Sequence, residues 1–275
     1  MKKILVPTDF SDQAEVALKV AAGLAKKFNS EIYLLHMLEL PLQLIDPVEG
    51  SASRNLPESI FFMKLAHQRF AKLMQRPYLK TIKVHETVQF HQAFEGIKDF
   101  SEEINCDLIV MGSHGASGFK EMFIGSNTEK VVRSSQIPVL VIKNPEAGLD
   151  TTHFVYATDA EASTMHTAQK AAGFAKTLGA DFHLLYINTP NEFLTSKEAG
   201  ERLIRVAKET GTQPQFHIYN DVSVEKGILN FAAENNFGLI GIGTHGRKGL
   251  AHFFNGSISE DLVNHARRPV VTFKI

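Results

Sequence analysis

The chain of 275 residues has one cysteine and almost no net charge, and each scarcity removes a class of protein. With Cys106 alone there is no intrachain disulfide and no multi-cysteine metal site, which fits a reducing compartment and leaves the thiol a buried structural role. Lysine plus arginine number 29 and aspartate plus glutamate 30, so no overall field gathers a polyanion, and nucleic acid is not an expected partner. No apolar run approaches the roughly 18 residues of a spanning helix, so no membrane association is expected. At the N-terminus, two lysines precede an apolar run that Pro7 and Asp9 cut short. It reads as a β-strand rather than a signal peptide, and the expected location is cytoplasmic. His-Glu-x-x-His, Gly-x-Ser-x-Gly and clustered carboxylate pairs are missing, so zinc-protease and serine-hydrolase chemistry have no support; no catalytic residue and no metal ligand is nominated.

What is present is a repeat, in a composition (44% hydrophobic, 21% charged) that folds throughout. The length alone suggests two domains. Ala21-Ala22-Gly23-Leu24-Ala25-Lys26 returns as Ala171-Ala172-Gly173-Phe174-Ala175-Lys176, and Asp9 as Asp159, all at an offset of 159 − 9 = 150. Further on, residues 108–115 return as 239–246, where Gly112 matches Gly243 at 243 − 112 = 131. The second copy therefore lacks 150 − 131 = 19 residues. Gly96 and Phe100 already match Gly227 and Phe231 at the shorter offset, which places the extra segment of the first copy near 38–59. A duplication explains unchanged glycine spacing better than shared periodicity does.

Within the first copy the periodicity predicts strands at 3–7, 32–37, 82–88, 108–111 and 138–143. Helices are predicted from Asp12 to about Phe28 and at 58–75, 93–104 and 126–135, with Asp12 and Glu15 resembling a capping box. The second copy repeats the pattern with strands near 154–158, 182–187, 215–219, 239–242 and 270–274 and a more polar second helix at 196–210. The expected fold class is α/β, with two tandem doubly wound domains at 1–145 and 151–275, each a five-stranded parallel sheet flanked by helices. Residues 144–148, Asn-Pro-Glu-Ala-Gly, have linker chemistry.

The chemistry concentrates after the fourth strand of each copy. Gly112, Gly115 and Gly125 followed by Ser126 return at identical spacing as Gly243, Gly246 and Gly256 followed by Ser257. Glycines leaving the carboxyl end of a strand let backbone amides approach a phosphate, and the next helix N-terminus adds donors and a favourable dipole. Ser126 and Thr128, like Ser257 and Ser259, bring hydroxyls to that first turn. No lysine follows the last glycine, so the loop is not a Walker motif, and plain turn-making is the competing reading. Asp9 and Asp159 follow the first strand of each copy, where a carboxylate accepts from an adenine amine or a ribose hydroxyl, or else caps the next helix. His114 and His245 fall inside the loops, with a structural hydrogen bond as the plainer reading.

Val6-Pro7-Thr8-Asp9-Phe10-Ser11 together with the Gly112-x2-Gly115-x9-Gly125-Ser126 spacing resembles the ATP-binding universal stress protein family, over the whole chain and twice. The resemblance implies a Rossmann-like fold of the adenine nucleotide alpha hydrolase kind, with ATP, ADP or AMP, accompanied by Mg2+, across strands one and four. It implies that Pro7, Thr8 and Asp9 flank base and ribose, that Met37 touches the base, and that Met111, Gly112, His114, Gly115, Gly125, Ser126, Asn127 and Thr128 surround ribose and phosphates. The second set is Ala157, Thr158, Asp159, Ile187, Ile242, Gly243, His245, Gly246, Gly256, Ser257, Ile258 and Ser259. The second copy departs from the family pattern at Ala157, where the proline is missing, and in its absent 19 residues. Family members pair through their last strands, which implies that 139–142 meets 270–273 within one molecule as a pseudo-dimer, with a homodimer as the further possibility.

The functional expectation is a nucleotide-responsive stress or regulatory protein with an unidentified protein partner, non-catalytic or at most a slow ATPase. One alternative is a nucleotide-dependent enzyme using His114, His245, Glu129 or Glu260. Another is an interaction scaffold that grips an apolar ligand with the 38–59 segment, against the plainer view of that segment as a loop covering a nucleotide pocket.

Overall fold

Ile4, Leu5 and Val6 are wholly buried in β1 (Lys3–Pro7), as a parallel strand covered on both faces requires. The computed structural model describes residues 1–39, 52–113, 125–143, 149–244 and 258–275, with the backbone alone at 52–58 and 258–261. The chain divides into two compact units, Met1–Gly118 and Phe119–Ile275.

In the first unit β1 is followed by α1 (Asp12–Phe28), β2 (Glu31–Leu38), α2 (Ala52–Leu73), β3 (Val84–Phe90), α3 (Ala93–Glu103) and β4 (Leu108–Gly112). The four strands are parallel in the order β3-β2-β1-β4. The chain builds outward from β1 to β3 and then returns to the other side of β1, so the strand order reverses between β1 and β4. That reversal opens a crevice at the strands' carboxyl ends. Five buried alanines with Leu18 and Leu24 make the inner face of α1, small enough to bring the helix close to the sheet. The helix is capped by Ser11, whose hydroxyl accepts the Ala14 amide at 3.2 Å, one residue before the expected Asp12. Glu15 instead accepts from Arg76 at 2.7 Å and from the Tyr78 hydroxyl at 3.2 Å. Helix α2 starts at Ala52, six residues before the expected 58, so part of the extra segment is helical; 40–51 lies outside the described residues.

The second unit holds α4 (Ser126–Ser134), β5 (Val139–Ile142), β6 (His153–Ala157), α5 (Met165–Leu178), β7 (Asp181–Asn188), α6 (Ser196–Thr210), β8 (Gln215–Asn220), α7 (Val224–Glu234), β9 (Leu239–Thr244), α8 (Ile258–His265) and β10 (Val270–Lys274). Its strands run β5-β10-β9-β6-β7-β8, parallel except at β5. There Val139, Leu140 and Val141 face Thr272, Val271 and Val270 in antiparallel register, the meeting of last strands that the resemblance implies. The pairing closes an edge that would otherwise present unpaired backbone groups. The last helix and strand of the first repeat therefore pack with the second unit.

A ring cluster stands at the amino-terminal ends of β7 and β8, and this unit is expected to lose stability in acid. The His183 and His217 rings stack with centroids 5.2 Å apart, and their Nδ1 and Nε2 atoms lie 2.9 Å apart. Phe237 and His153 stand edge-on to His183. Burial above all, then the neighbouring His217 and His153, pushes the His183 imidazole down to about 4, while Asp181 works the other way. A folded pKa below the unfolded 6.5 means that the native state binds fewer protons; the contribution is complete above about 6.5 and is lost as pH falls towards about 4. The expected loss is about 3 kcal/mol of stability across that window, read from urea midpoints at several pH values. His183→Tyr, which installs the residue found at the matching position 33, should flatten the profile; an unchanged profile would assign the acid sensitivity elsewhere.

Candidate functional site

The strand ends of β1 and β6 lead into the same turn, built twice. The Thr8 amide donates to the Leu35 carbonyl at 2.8 Å, and the Thr158 amide to the Leu185 carbonyl at 3.0 Å. The Thr8 hydroxyl accepts the Phe10 amide, and the Thr158 hydroxyl the Ala160 amide, each at 3.0 Å. Asp9 Oδ1 accepts the Ser11 amide and Asp159 Oδ1 the Glu161 amide, again at 3.0 Å. Phe10 and Ala160 both take left-handed backbone, with φ of 64° and 56°. A bulky residue there is strained unless its surroundings hold it. Phe10 is held by His36 at 4.6 Å between ring centroids, by Phe70 at 5.0 Å and by the Arg69 guanidinium at 5.5 Å. Neither aspartate caps the helix that follows, since Ser11 caps α1 and no side chain caps α5; one oxygen of each closes the turn instead.

Around these turns the predicted residues gather at the carboxyl ends of three adjacent strands in each unit. In the first, Pro7, Thr8 and Asp9 leave β1, Met37 lies near the end of β2, and Met111 and Gly112 end β4. In the second, Ala157, Thr158 and Asp159 leave β6, Ile187 lies near the end of β7, and Ile242 and Gly243 lie on β9, with Ala157 in register with Ile242. Met37 and Ile187 each stand against a helical glycine: a Cβ on Gly96 would come within 2.1 Å of Met37 Cε, and one on Gly227 within 2.6 Å of Ile187 Cγ2. Gly112 has a packing role of its own, because a Cβ there would meet the Gln13 backbone oxygen at 2.9 Å.

Gly125 is the N-cap of α4, in extended backbone, and Ser126, Asn127 and Thr128 form its first turn, where a helix leaves amides without intrahelical partners. Ser126 is exposed and Thr128 buried. Glu129, weighed as a base, accepts from Arg133 at 3.2 Å. Ile258 and Ser259 begin α8. His114, Gly115, His245, Gly246, Gly256 and Ser257 lie outside the described residues.

Sequence reading missed His36. Its Nδ1 lies 2.8 Å from the Thr8 carbonyl, and burial holds the imidazole below its usual range. The neutral ring with its proton on Nδ1 donates to that carbonyl and fixes the turn ahead of Asp9. Also missed was a polar chain in the second copy. Tyr156 donates to the Thr167 hydroxyl at 2.8 Å, Thr167 to the Thr164 carbonyl at 2.6 Å, and the Thr164 hydroxyl to Asp159 Oδ1 at 2.5 Å. At the repeat offset these three residues match Val6, Ala17 and Ala14, so a residue-by-residue comparison of the copies carried the signal.

Comparison with known proteins adds relatives to this geometry. The model of the universal stress protein family matches residues 1–143 and again 151–274. The chain is similar over its whole length to Universal stress protein Slr1230 of Synechocystis, 26% identical over 291 residues and covering all of both chains. Universal stress protein MJ0577 of Methanocaldococcus jannaschii is 33% identical over 153 residues, 52% of this chain and 94% of that protein. In fold, a universal stress protein crystal structure from Archaeoglobus fulgidus has a TM-score of 0.70 at 24% identity and covers 99% of this chain and 98% of its own.

Proposed function

The chain belongs to the universal stress protein family, with two copies of its domain, and from that premise we propose that it binds adenine nucleotide and acts as a cytoplasmic stress or regulatory protein whose nucleotide state is read by a protein partner. Functional domains of 1–145 and 151–275 each carry one nucleotide set. The observation that carries the reading is the doubled turn, with the same three hydrogen bonds around Thr8 and Asp9 as around Thr158 and Asp159. Both turns stand at the strand-order reversal, where open α/β sheets receive ligands.

In the first set Asp9 and Pro7 take ribose and base, with Met37 against the base. In the second, Asp159, Thr158 and Ile187 take these roles. Sequence spacing assigns the phosphates to the glycine motifs that end in Gly125–Thr128 and Gly256–Ser259. The chain's part is to bind and orient, through carboxylate, backbone amide and hydroxyl groups. Mg2+ bound with the nucleotide would neutralise phosphate charge there. Mass spectrometry of small molecules released from the purified protein tests the reading: an adenine nucleotide in stoichiometric amount supports it, and protein that neither carries nor takes up any contradicts it. Turnover of ATP is expected to be far slower than the median enzyme rate of about 10 per second. Rapid turnover lost in Glu129→Ala would establish an enzyme instead.

A second reading, capture of an apolar partner beside the 38–59 segment, is favoured by the exposure of Ile60 and Phe61 on α2. Retained binding of such a partner when both residues are changed to serine would remove it.

A further inference from the structure

The two copies hold their turn aspartates by different means. We propose that Thr164 is a specificity-determining residue that engages Asp159 within the protein and so weakens the second nucleotide site; this rests on the nucleotide reading above. Asp159 Oδ1 already accepts the Glu161 amide at 3.0 Å, and the Thr164 hydroxyl adds a charge-assisted bond at 2.5 Å. The single hydroxyl proton has another acceptor in the Glu161 carbonyl at 2.9 Å, and the shorter leg goes to the carboxylate. A carboxylate oxygen that takes two internal donors has less acceptor capacity left for a ribose hydroxyl or base amine.

Thr164 is itself held in place. Its carbonyl accepts from Thr167, and Thr167 from Tyr156, both almost fully buried. The chain therefore reaches from the core of the unit to the binding turn. It also accompanies a change in the helix start. The first copy has Ser11, which caps α1 at Asp12, whereas the matching Glu161 forms an ion pair with Arg202 and α5 begins only at Met165, after a 3-10 turn over Ala162–Thr164. Thr164 lies in that turn, five residues from the aspartate. The first copy has Ala14 at the matching position and no hydroxyl to offer.

The test is a gain of affinity, opposite in sign to structural damage. In a chain whose first site is disabled by Gly115→Val, ATP is titrated calorimetrically against Thr164, Thr164→Ala, Thr164→Val and Thr164→Ser. Freeing Asp159 from one charge-assisted bond should tighten the remaining site about tenfold in the alanine and valine variants. The serine variant keeps the hydroxyl and should match the parent. The valine variant preserves volume, so a loss of fold peculiar to alanine leaves the comparison intact. Affinity that is unchanged or weaker in folded alanine and valine variants overturns the inference while leaving nucleotide binding standing. A chain with both sites native that binds no ATP overturns the functional reading, and this inference falls with it.

Discussion

Gly241→Val is expected to destabilise the protein by about 3 kcal/mol, the upper range for forcing extra volume into a filled core. A Cβ at Gly241 would lie 2.4 Å from Phe154 Cζ and 2.6 Å from Phe154 Cε2. That ring has no room to yield: Phe154 is wholly buried, and Phe182, Phe174 and Phe273 surround it at centroid distances of 5.7, 6.0 and 6.4 Å. The matching positions of the first copy hold Ile4 and Val110, so the two sheets fill the same volume by opposite choices, large with nothing in one and two medium side chains in the other. Phe154→Ile alone leaves a cavity and should cost about 2 kcal/mol. The double variant, which recreates the first copy's pair, should lie within about 1 kcal/mol of the native protein. Urea unfolding of the four proteins gives the coupling energy. Additive losses would mean that the two positions do not share one space.

Gly115→Val is expected to weaken the tighter nucleotide site at least about 100-fold, close to 2.7 kcal/mol, and Gly246→Val to remove only the weaker one. A phosphate bound by backbone amides needs close approach, and a branched side chain both blocks it and restricts the backbone. The ranking follows from Pro7, which pre-sets the backbone entering the Thr8–Asp9 turn where the second copy has Ala157. Calorimetry with circular dichroism as a folding control distinguishes the cases. If Gly115→Val leaves the tighter site intact, the ranking is reversed; if neither substitution matters in folded protein, the glycines only make turns.

The architecture was legible because a repeat holds its spacing: one offset of 150 and another of 131 locate both sheets and the missing 19 residues. The pairing of β5 with β10 followed from the family resemblance, since open edges need partners. Its consequence, that α4 and β5 pack with the second unit, was not legible, because periodicity identifies a strand and not the sheet it joins. Helix starts were misplaced by local ambiguity: Ser11, Asp12 and Glu15 all suit a cap, and only the partners Arg76 and Tyr78 draw Glu15 away. At the site, strand ends and aspartates were legible from position alone. His36 was not, because its role depends on a contact across strands to the Thr8 carbonyl. Tyr156, Thr164 and Thr167 stand in the sequence as polar residues at positions the first copy fills with Val6, Ala14 and Ala17, but their bonding order emerges only in three dimensions.

The central claim, that each copy of the domain binds an adenine nucleotide at its strand-order reversal, is tested most directly by calorimetric titration of ATP into the purified full-length chain freed of any bound nucleotide. The account predicts saturable binding of two equivalents, the first tighter than the second. No binding at millimolar ATP by the folded protein would contradict it.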